Sequence, residues 1–291
     1  MAAEEYYIFT GREAVPPDAT RVRIDESISV IPARAFQRNS SIEELECHVG
    51  VKKVEKWACC DCLSLRLVIM PGVEEVEGSA FRDCEALTDV ECGKLERIGG
   101  WAFEGCESLR SIDLPSIKIV QRGAFRHCTA LTKIKVGKEL TSIGWAAFYG
   151  CTSLERMTIP LKDGMINDDG IFIGCANLKH VDLVEGAVLH TTTSALQMEE
   201  WKNVMNEEIA SINQILSSAP CIDGDAGRKA RAIQTWIRSV LHKIVHYKAE
   251  HRRLLNNEVA TTLQLALPND IVIKNVLPFL ELPPYAFQGE D

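Results

Sequence analysis

The chain has 291 residues, 41 acidic against 32 basic side chains, a formal net charge of −9 and 46% hydrophobic content. That apolar share is enough for a real core in one elongated domain, while the acidic balance argues against nucleic acid as a partner. No run of about 18 or more apolar residues occurs, which excludes a transmembrane helix.

Met1 to Phe9 lacks a basic flank followed by an apolar run, so a secretory signal is not expected and the reading is cytoplasmic, with the nucleus open. Pro16-Pro17 marks a turn, and Arg21-Val-Arg-Ile-Asp alternates like an opening strand; residues 1–30 read as a tail and N-terminal capping strand.

From residue 31 to 184 one pattern recurs every 22 to 24 residues. Phe36, Phe81, Phe103, Phe125, Phe148 and Phe172 form an aromatic column, with Cys59 in the missing slot. Three places on stand Asn39, Cys62, Cys84, Cys106, Cys128, Cys151 and Cys175; six on stand Ile42, Leu65, Leu87, Leu109, Leu131, Leu154 and Leu178. The ninth place is aliphatic throughout, and five before the Phe stand Ile31, Val54, Val76, Ile98, Val120 and Ile143, with Ile166 one place early in the last unit. A single coil of this length cannot bury such residues, but stacked coils can, because each column then lines a shared core. Seven units of a solenoid follow.

At offsets nine and eleven apolar residues alternate with polar ones, as in Ile112, Asp113, Leu114, which predicts a short strand with one buried face. Pro71, Pro115 and Pro160 follow three of these strands, where a missing N–H no longer interrupts a ladder. The Ala-Phe-x-x-Cys stretch is read as a short helical turn on the opposite side.

These residues resemble the BspA-like leucine-rich repeats, whose units read x-x-I-x-x-x-A-F-x-x-C-x-x-L-x-x-I-x-I-P. The resemblance covers roughly residues 24 to 184; it lacks the Asn column of commoner leucine-rich repeats and departs at Asn39, Cys59, Ile171 and an insertion from Lys162 to Gly170. It implies a right-handed, curved α/β-type solenoid with a parallel sheet on the concave face. It further implies an interaction module with a protein partner, no enzymatic activity, and no catalytic residue or cofactor; apart from the resemblance, a monomer is expected.

Nine of the 11 cysteines occupy repeat columns, leaving Cys60 and Cys221. Thiols in such columns behave as small buried hydrophobes, so Cys59-x-x-Cys62 reflects repeat register, and the cluster Cys47, His48, Cys59, Cys60, Cys62 is weighed as zinc ligands and set aside. The exposed strand positions Glu44, Glu46, Leu67, Ile69, Asp89, Glu91, Asp113, Lys133, Lys135 and Arg156 form a ribbon that is acidic over the first four coils and basic over the next two. A sign-separated ribbon of this kind steers a partner of opposite polarity, and these ten residues are the candidate binding face.

After Val184 the period changes, and residues 185–291 read as a helical C-terminal cap with an irregular tail. Trp201, Val204, Met205, Ile209, Ile212 and Leu216 share one helix face, which Thr193 or Ser194 would cap and Pro220 follows. A second helix follows Asp223-Gly-Asp-Ala-Gly and carries Ile233, Trp236, Ile237, Val240, Leu241, Ile244, Val245, Leu254 and Leu255; Pro268 opens a shorter segment. Between Arg228 and Arg253 this helix has eight Lys or Arg against Glu250. Ile233, Gln234, Arg238 and Lys243 fit a spacing similar to the calmodulin-binding IQ motif, which offers the second reading: an adaptor whose basic helix binds a calmodulin-like protein or an acidic surface. His242 and His246 lie one turn apart, but with no placed carboxylate or nucleophile they make no catalytic or metal site.

Overall fold

The computed structural model describes residues 6–166, 168–184, 195–218 and 227–255, with helix side chains described over 203–218 and 228–243. The capping residues Thr193 and Ser194, the Asp223 turn, Cys221, the side chains of Trp201, His246, His251 and Leu254, and everything from Pro268 onward lie outside it.

Stacked coils of about the repeat length place the offset-nine strands in parallel register. A five-stranded sheet runs Tyr7–Phe9, Arg21–Ile24, Glu44–Glu46, Leu67–Ile69, Asp89–Glu91, and a four-stranded sheet continues it with Ser111–Leu114, Lys133–Val136, Arg156–Ile159 and His180–Leu183. The ladder therefore starts earlier than the repeat pattern does, because Tyr7–Phe9 pairs with Arg21–Ile24.

A second parallel ladder of six two-residue strands was not evident in the periodicity. It joins Val30–Ile31, Lys53–Val54, Glu75–Val76, Arg97–Ile98, Ile119–Val120 and Ser142–Ile143, and it ends in the bridge from Ile143 to Ile166. Two residues are too few to show alternation, which is why the column five before the Phe looks like an isolated apolar place. The bridge places Ile166 in this ladder although it stands one place early in the lengthened final unit.

The Ala-Phe-x-x-Cys stretch is a turn rather than a helix; only Asp169–Phe172 in the last unit forms a 3₁₀ turn. Each turn hydrogen-bonds both within itself, as in Cys84 N to Phe81 O at 3.3 Å, and to the next coil, as in Phe81 N to Ala102 O at 2.8 Å and Phe103 N to Ala124 O at 2.8 Å. The geometry requires left-handed backbone two places before and after the aromatic column. It is adopted by Trp57, Ser79 and Trp101 on one side and by Asp61, Asp83 and His127 on the other, with Gly105 and Gly150 where the fit is closest. A Cβ at Gly105 would come within 2.4 Å of Asp83 Oδ1.

Inside, the phenylalanines from Phe81 to Phe172 form a continuous stack, with adjacent centroids 5.3, 5.4, 5.6 and 5.7 Å apart and rings within 7° of parallel. Beside it runs a column of thiols with a specific job. Each donates to the carbonyl of the preceding coil's aromatic position: Cys84 to Cys59 O at 3.0 Å, Cys106 to Phe81 O at 3.2 Å, Cys128 to Phe103 O at 3.1 Å, Cys151 to Phe125 O at 3.0 Å. Cysteine fits because it combines small apolar bulk with a weak donor. At the first unit Asn39 takes over, its Oδ1 accepting from Ser41 N and Ile42 N.

Helix α1 (Ala195–Ser218) and helix α2 (Arg228–Leu255) close the far end. Met205, Ile212 and Leu216 of α1 and Ile233, Trp236, Ile237 and Val240 of α2 are buried, as their helical spacing predicts. A last coil also leaves backbone groups that an eighth coil would have paired, and three helix side chains supply the partners. Asn213 Oδ1 accepts from Val181 N at 2.8 Å, Gln234 Nε2 donates to Ile166 O at 2.6 Å, and Lys229 Nζ donates to Cys175, Ala176 and Leu178 carbonyls at 2.9, 3.0 and 2.8 Å. Lys229 is only 6% exposed, so its replacement strands those carbonyls. Lys229→Met is expected to lower the unfolding free energy by about 2–4 kcal/mol in urea denaturation. A change below about 0.5 kcal/mol would mean that the last coil reaches water without it.

Candidate functional site

The candidate ribbon lies on the main ladder with its residues in register. Glu44, Leu67 and Asp89 stand side by side, as do Glu46, Ile69 and Glu91, and further along Lys133 and Arg156, and Asp113 and Lys135. All project from the face opposite the buried Leu45, Val68, Ile112, Ile134 and Met157, because side chains alternate along a strand.

The structure alters the electrostatics of both ends. The strand Arg21–Ile24 adds two cations to the acidic end: Arg21 pairs with Glu44 and Arg23 with Glu46, each at 2.7 Å. Tyr6 closes this cluster; both guanidinium groups lie over its ring at 4.5 and 4.2 Å, and its hydroxyl donates to Glu44. At the other end Arg156 pairs with Asp182 at 2.7 Å. The centre differs. Among the described residues Asp89, Glu91, Asp113, Lys133 and Lys135 make no ion pair, although Asp113 and Lys135 are register partners. Leu67 and Ile69 are half-buried and separate the neutralised N-terminal pairs from this charged centre.

The second ladder treats its charges in the opposite way. Lys53 pairs with Glu75 at 3.4 Å and Glu77 at 2.6 Å, Arg97 with Glu75, Lys52 with Glu74 at 3.0 Å and Lys118 with Glu96 at 2.8 Å. Its cations and anions satisfy one another from coil to coil.

Of the four residues of the IQ-like spacing, the first two face the rest of the chain, and the last two are exposed and ion-paired. Ile233 is buried, Gln234 bonds Ile166 O, Arg238 pairs with Asp163 at 3.0 Å, and Lys243 pairs with Glu208. Arg238 holds the Asp163 carboxyl below its usual range by hydrogen bonding. The insertion after Lys162 thus supplies α2 with its dock, since Arg231 also reaches Asp169 at 2.8 Å. His242 is exposed, away from the packed stripe.

The clustered cysteines near His48 are spoken for. His48 Nε2 lies 3.2 and 3.1 Å from the Asp25 and Ile28 carbonyls, its Nδ1 accepts from Gly50 N, and Cys62 donates to Phe36 O. Burial pushes the Cys47 thiol up to about 12 and the Cys59 thiol well above its ordinary value, disfavouring the thiolate that a metal or a redox step needs. All ten described cysteines are free thiols, and among the described residues no group of His, Cys, Asp or Glu is arranged to hold a metal. Nor is any described helix long and apolar enough to cross a membrane.

One surface feature escaped the sequence reading. Trp57, Trp101 and Trp145 are 37, 36 and 42% exposed, and arginines lie over their rings. The signal was present as a spacing of 44 residues, two repeats, between successive tryptophans.

Comparison with known proteins agrees with this architecture. A family model described as BspA type leucine rich repeat region matches in 6 copies, over residues 18–88 and 74–197. Among solved structures the chain is similar to a leucine-rich repeat protein from Bacteroides ovatus ATCC 8483, with 29% identity over 49% of this chain and 37% of that one and a TM-score of 0.46. It is also similar to a leucine rich cell surface protein from Faecalibacterium prausnitzii A2-165, at 19% identity over 62% of each chain with a TM-score of 0.38. A third is the leucine rich repeat protein of T. pallidum, at 22% identity over 46% of this chain and 77% of that one with a TM-score of 0.35. The chain thus spans little more than a third of the Bacteroides ovatus protein. No curated protein matches the chain. With its aromatic and thiol columns stacked as the repeat demands, and with family repeats covering more than half of its length, the chain belongs to the BspA-type leucine-rich-repeat family.

Proposed function

We propose that this chain is a non-catalytic protein-binding module whose main ladder receives a partner segment across the charged step between Asp89, Glu91 and Asp113 on one side and Lys133 and Lys135 on the other. Leucine-rich-repeat solenoids in general serve as protein-interaction modules, which supports the class. The contrast between the two ladders carries the choice of face. Charges on the second ladder neutralise each other, while those at the centre of the main ladder stand without ion pairs among the described residues. Unneutralised charges of opposite sign in register attract and orient a segment of complementary polarity. Arg156 contributes less than its position suggests, because Asp182 already engages it.

The test is affinity capture from native extract with wild-type chain and with the double variant Lys133→Glu, Lys135→Glu, using a Lys52→Glu, Glu74→Lys swap on the second ladder as control. The expected result is one set of proteins retained by wild type and by the swap, and reduced about tenfold or more in the double variant. Equal retention by all three would move binding off this face. Calcium-loaded calmodulin serves as an added arm. Ile233 is buried and Gln234 is bonded to the solenoid, so α2 would have to undock to bind it, and no complex is expected; a complex would shift the function to α2.

A further inference from the structure

The row of exposed tryptophans lies away from the main ladder, at the corner between the second ladder and the turns. Along it, cations and rings alternate. The Arg34 guanidinium lies 4.9 Å from the Trp57 ring, and the Arg122 guanidinium lies between Trp101 and Trp145, at 5.3 and 4.5 Å. The sequence along the stack is therefore cation, ring, gap, ring, cation, ring, and the gap falls between Trp57 and Trp101.

The cause is one residue. Arg122 stands three places before its coil's Phe125; in the coil between Trp57 and Trp101 the same place, three before Phe81, is Gly78. A Cβ at Gly78 would meet only the Gly100 carbonyl oxygen, at 3.3 Å. The two indoles belong to coils two repeats apart, about 9.5 Å at the spacing of parallel strands. That matches the room taken by the Arg122 guanidinium between its own pair of rings. Two of the three rings are held in place from below. Trp101 and Trp145 lie so close to Gly123 and Gly170 that a Cβ at either glycine would be 2.7 Å from an indole atom.

From this we propose that Trp57 and Trp101 form a slot for one arginine side chain of a protein partner, bound flat between the two indoles as Arg122 is bound between Trp101 and Trp145. One observation selects a guanidinium: the chain itself fills the neighbouring slot with one, Arg122 between Trp101 and Trp145. The slot is separate from the charged step of the main ladder, so each succeeds or fails without the other.

The experiment follows the indole N–H signals of the full chain by NMR during titration with a blocked peptide of neutral residues around a central arginine. Parallel titrations use its lysine and citrulline counterparts and a short oligothymidylate. The Trp57 and Trp101 signals are expected to move with the arginine peptide in the millimolar range, with lysine at least about fivefold weaker and citrulline weaker still. Two variants follow. Gly78→Arg completes the alternation from within, at a column that already accepts Lys56 and Arg122, and is expected to abolish the response with the fold intact; Trp57→Ala is expected to abolish it by removing one wall. Equal binding of citrulline, undiminished binding by the folded Gly78→Arg chain, or a stronger response to oligothymidylate at the same two indoles would each overturn the proposal.

Discussion

Raising the pH from about 8.5 to about 10.5 is expected to unfold this protein along a slope far steeper than that of an ordinary domain. Burial pushes the thiols of Cys84, Cys106 and Cys151 well above their ordinary value, raises Cys128, and moves Cys47 and Cys92 to about 12. In the unfolded chain these thiols ionise near 8.5. Below that value both states hold their protons and the thiols cost nothing. Above it the unfolded chain releases protons that the folded chain keeps, so stability falls with pH until the folded thiols titrate in turn, near 12 for Cys47 and Cys92. Each such thiol contributes about 1.4 kcal/mol per pH unit, and six of them roughly 8, comparable to the whole stability of a typical domain. Urea denaturation under reductant at several pH values measures the slope. The double variant Cys106→Ala, Cys128→Ala should be less stable at pH 7, because its cavities and the stranded Phe81 and Phe103 carbonyls remain, yet should lose stability about 3 kcal/mol per unit more slowly. A profile flat to pH 10.5 would show the thiols to be in water.

Phe103→Ala is expected to be the most damaging single change in the solenoid. Its ring contacts Phe81 on one side and Phe125 on the other, at 5.3 and 5.4 Å, and is fully buried. Truncation leaves a cavity that rigid flanking coils cannot close, at a cost of about 3–5 kcal/mol, with the loss of two stacked pairs at the upper end of that range. In a quasi-one-dimensional stack the weakened interface also uncouples the coils on either side. Guanidinium denaturation should therefore show a lower midpoint together with a smaller slope or a second transition. Phe36→Ala, at the end of the row with a single edge-on neighbour in Phe9 at 4.7 Å, should cost less and leave cooperativity unchanged. Equal effects at the two sites would argue against a continuous column.

The residues that made the fold legible are those that recur. Phe103, Cys106, Leu109 and Ile112 repeat at fixed offsets because neighbouring coils present identical surroundings, so each column announces its own burial. Even the exceptions follow this logic: Cys59 in the aromatic slot is buried with the rest, and Asn39 supplies by its side chain the turn bonds of a coil at the edge. The candidate ribbon was legible to the same degree, since strand alternation alone assigns Asp89, Glu91, Lys133 and Lys135 to the outer face.

What the sequence alone determined, then, was the coil: its period, its buried columns, and which residues face outward. Only the tertiary structure decided what those outward residues meet. Arg21 neutralises Glu44 because the ladder extends two strands further than the repeat; Lys229 reaches Cys175 from 54 positions away; and Trp101 shares Arg122 with Trp145 across two coils. The reason is physical. Burial is a property each position repeats from coil to coil, so a period reveals it, whereas pairing between surface groups depends on the stacking distance, the register and the path of a non-repeating cap, none of which leaves a period to read.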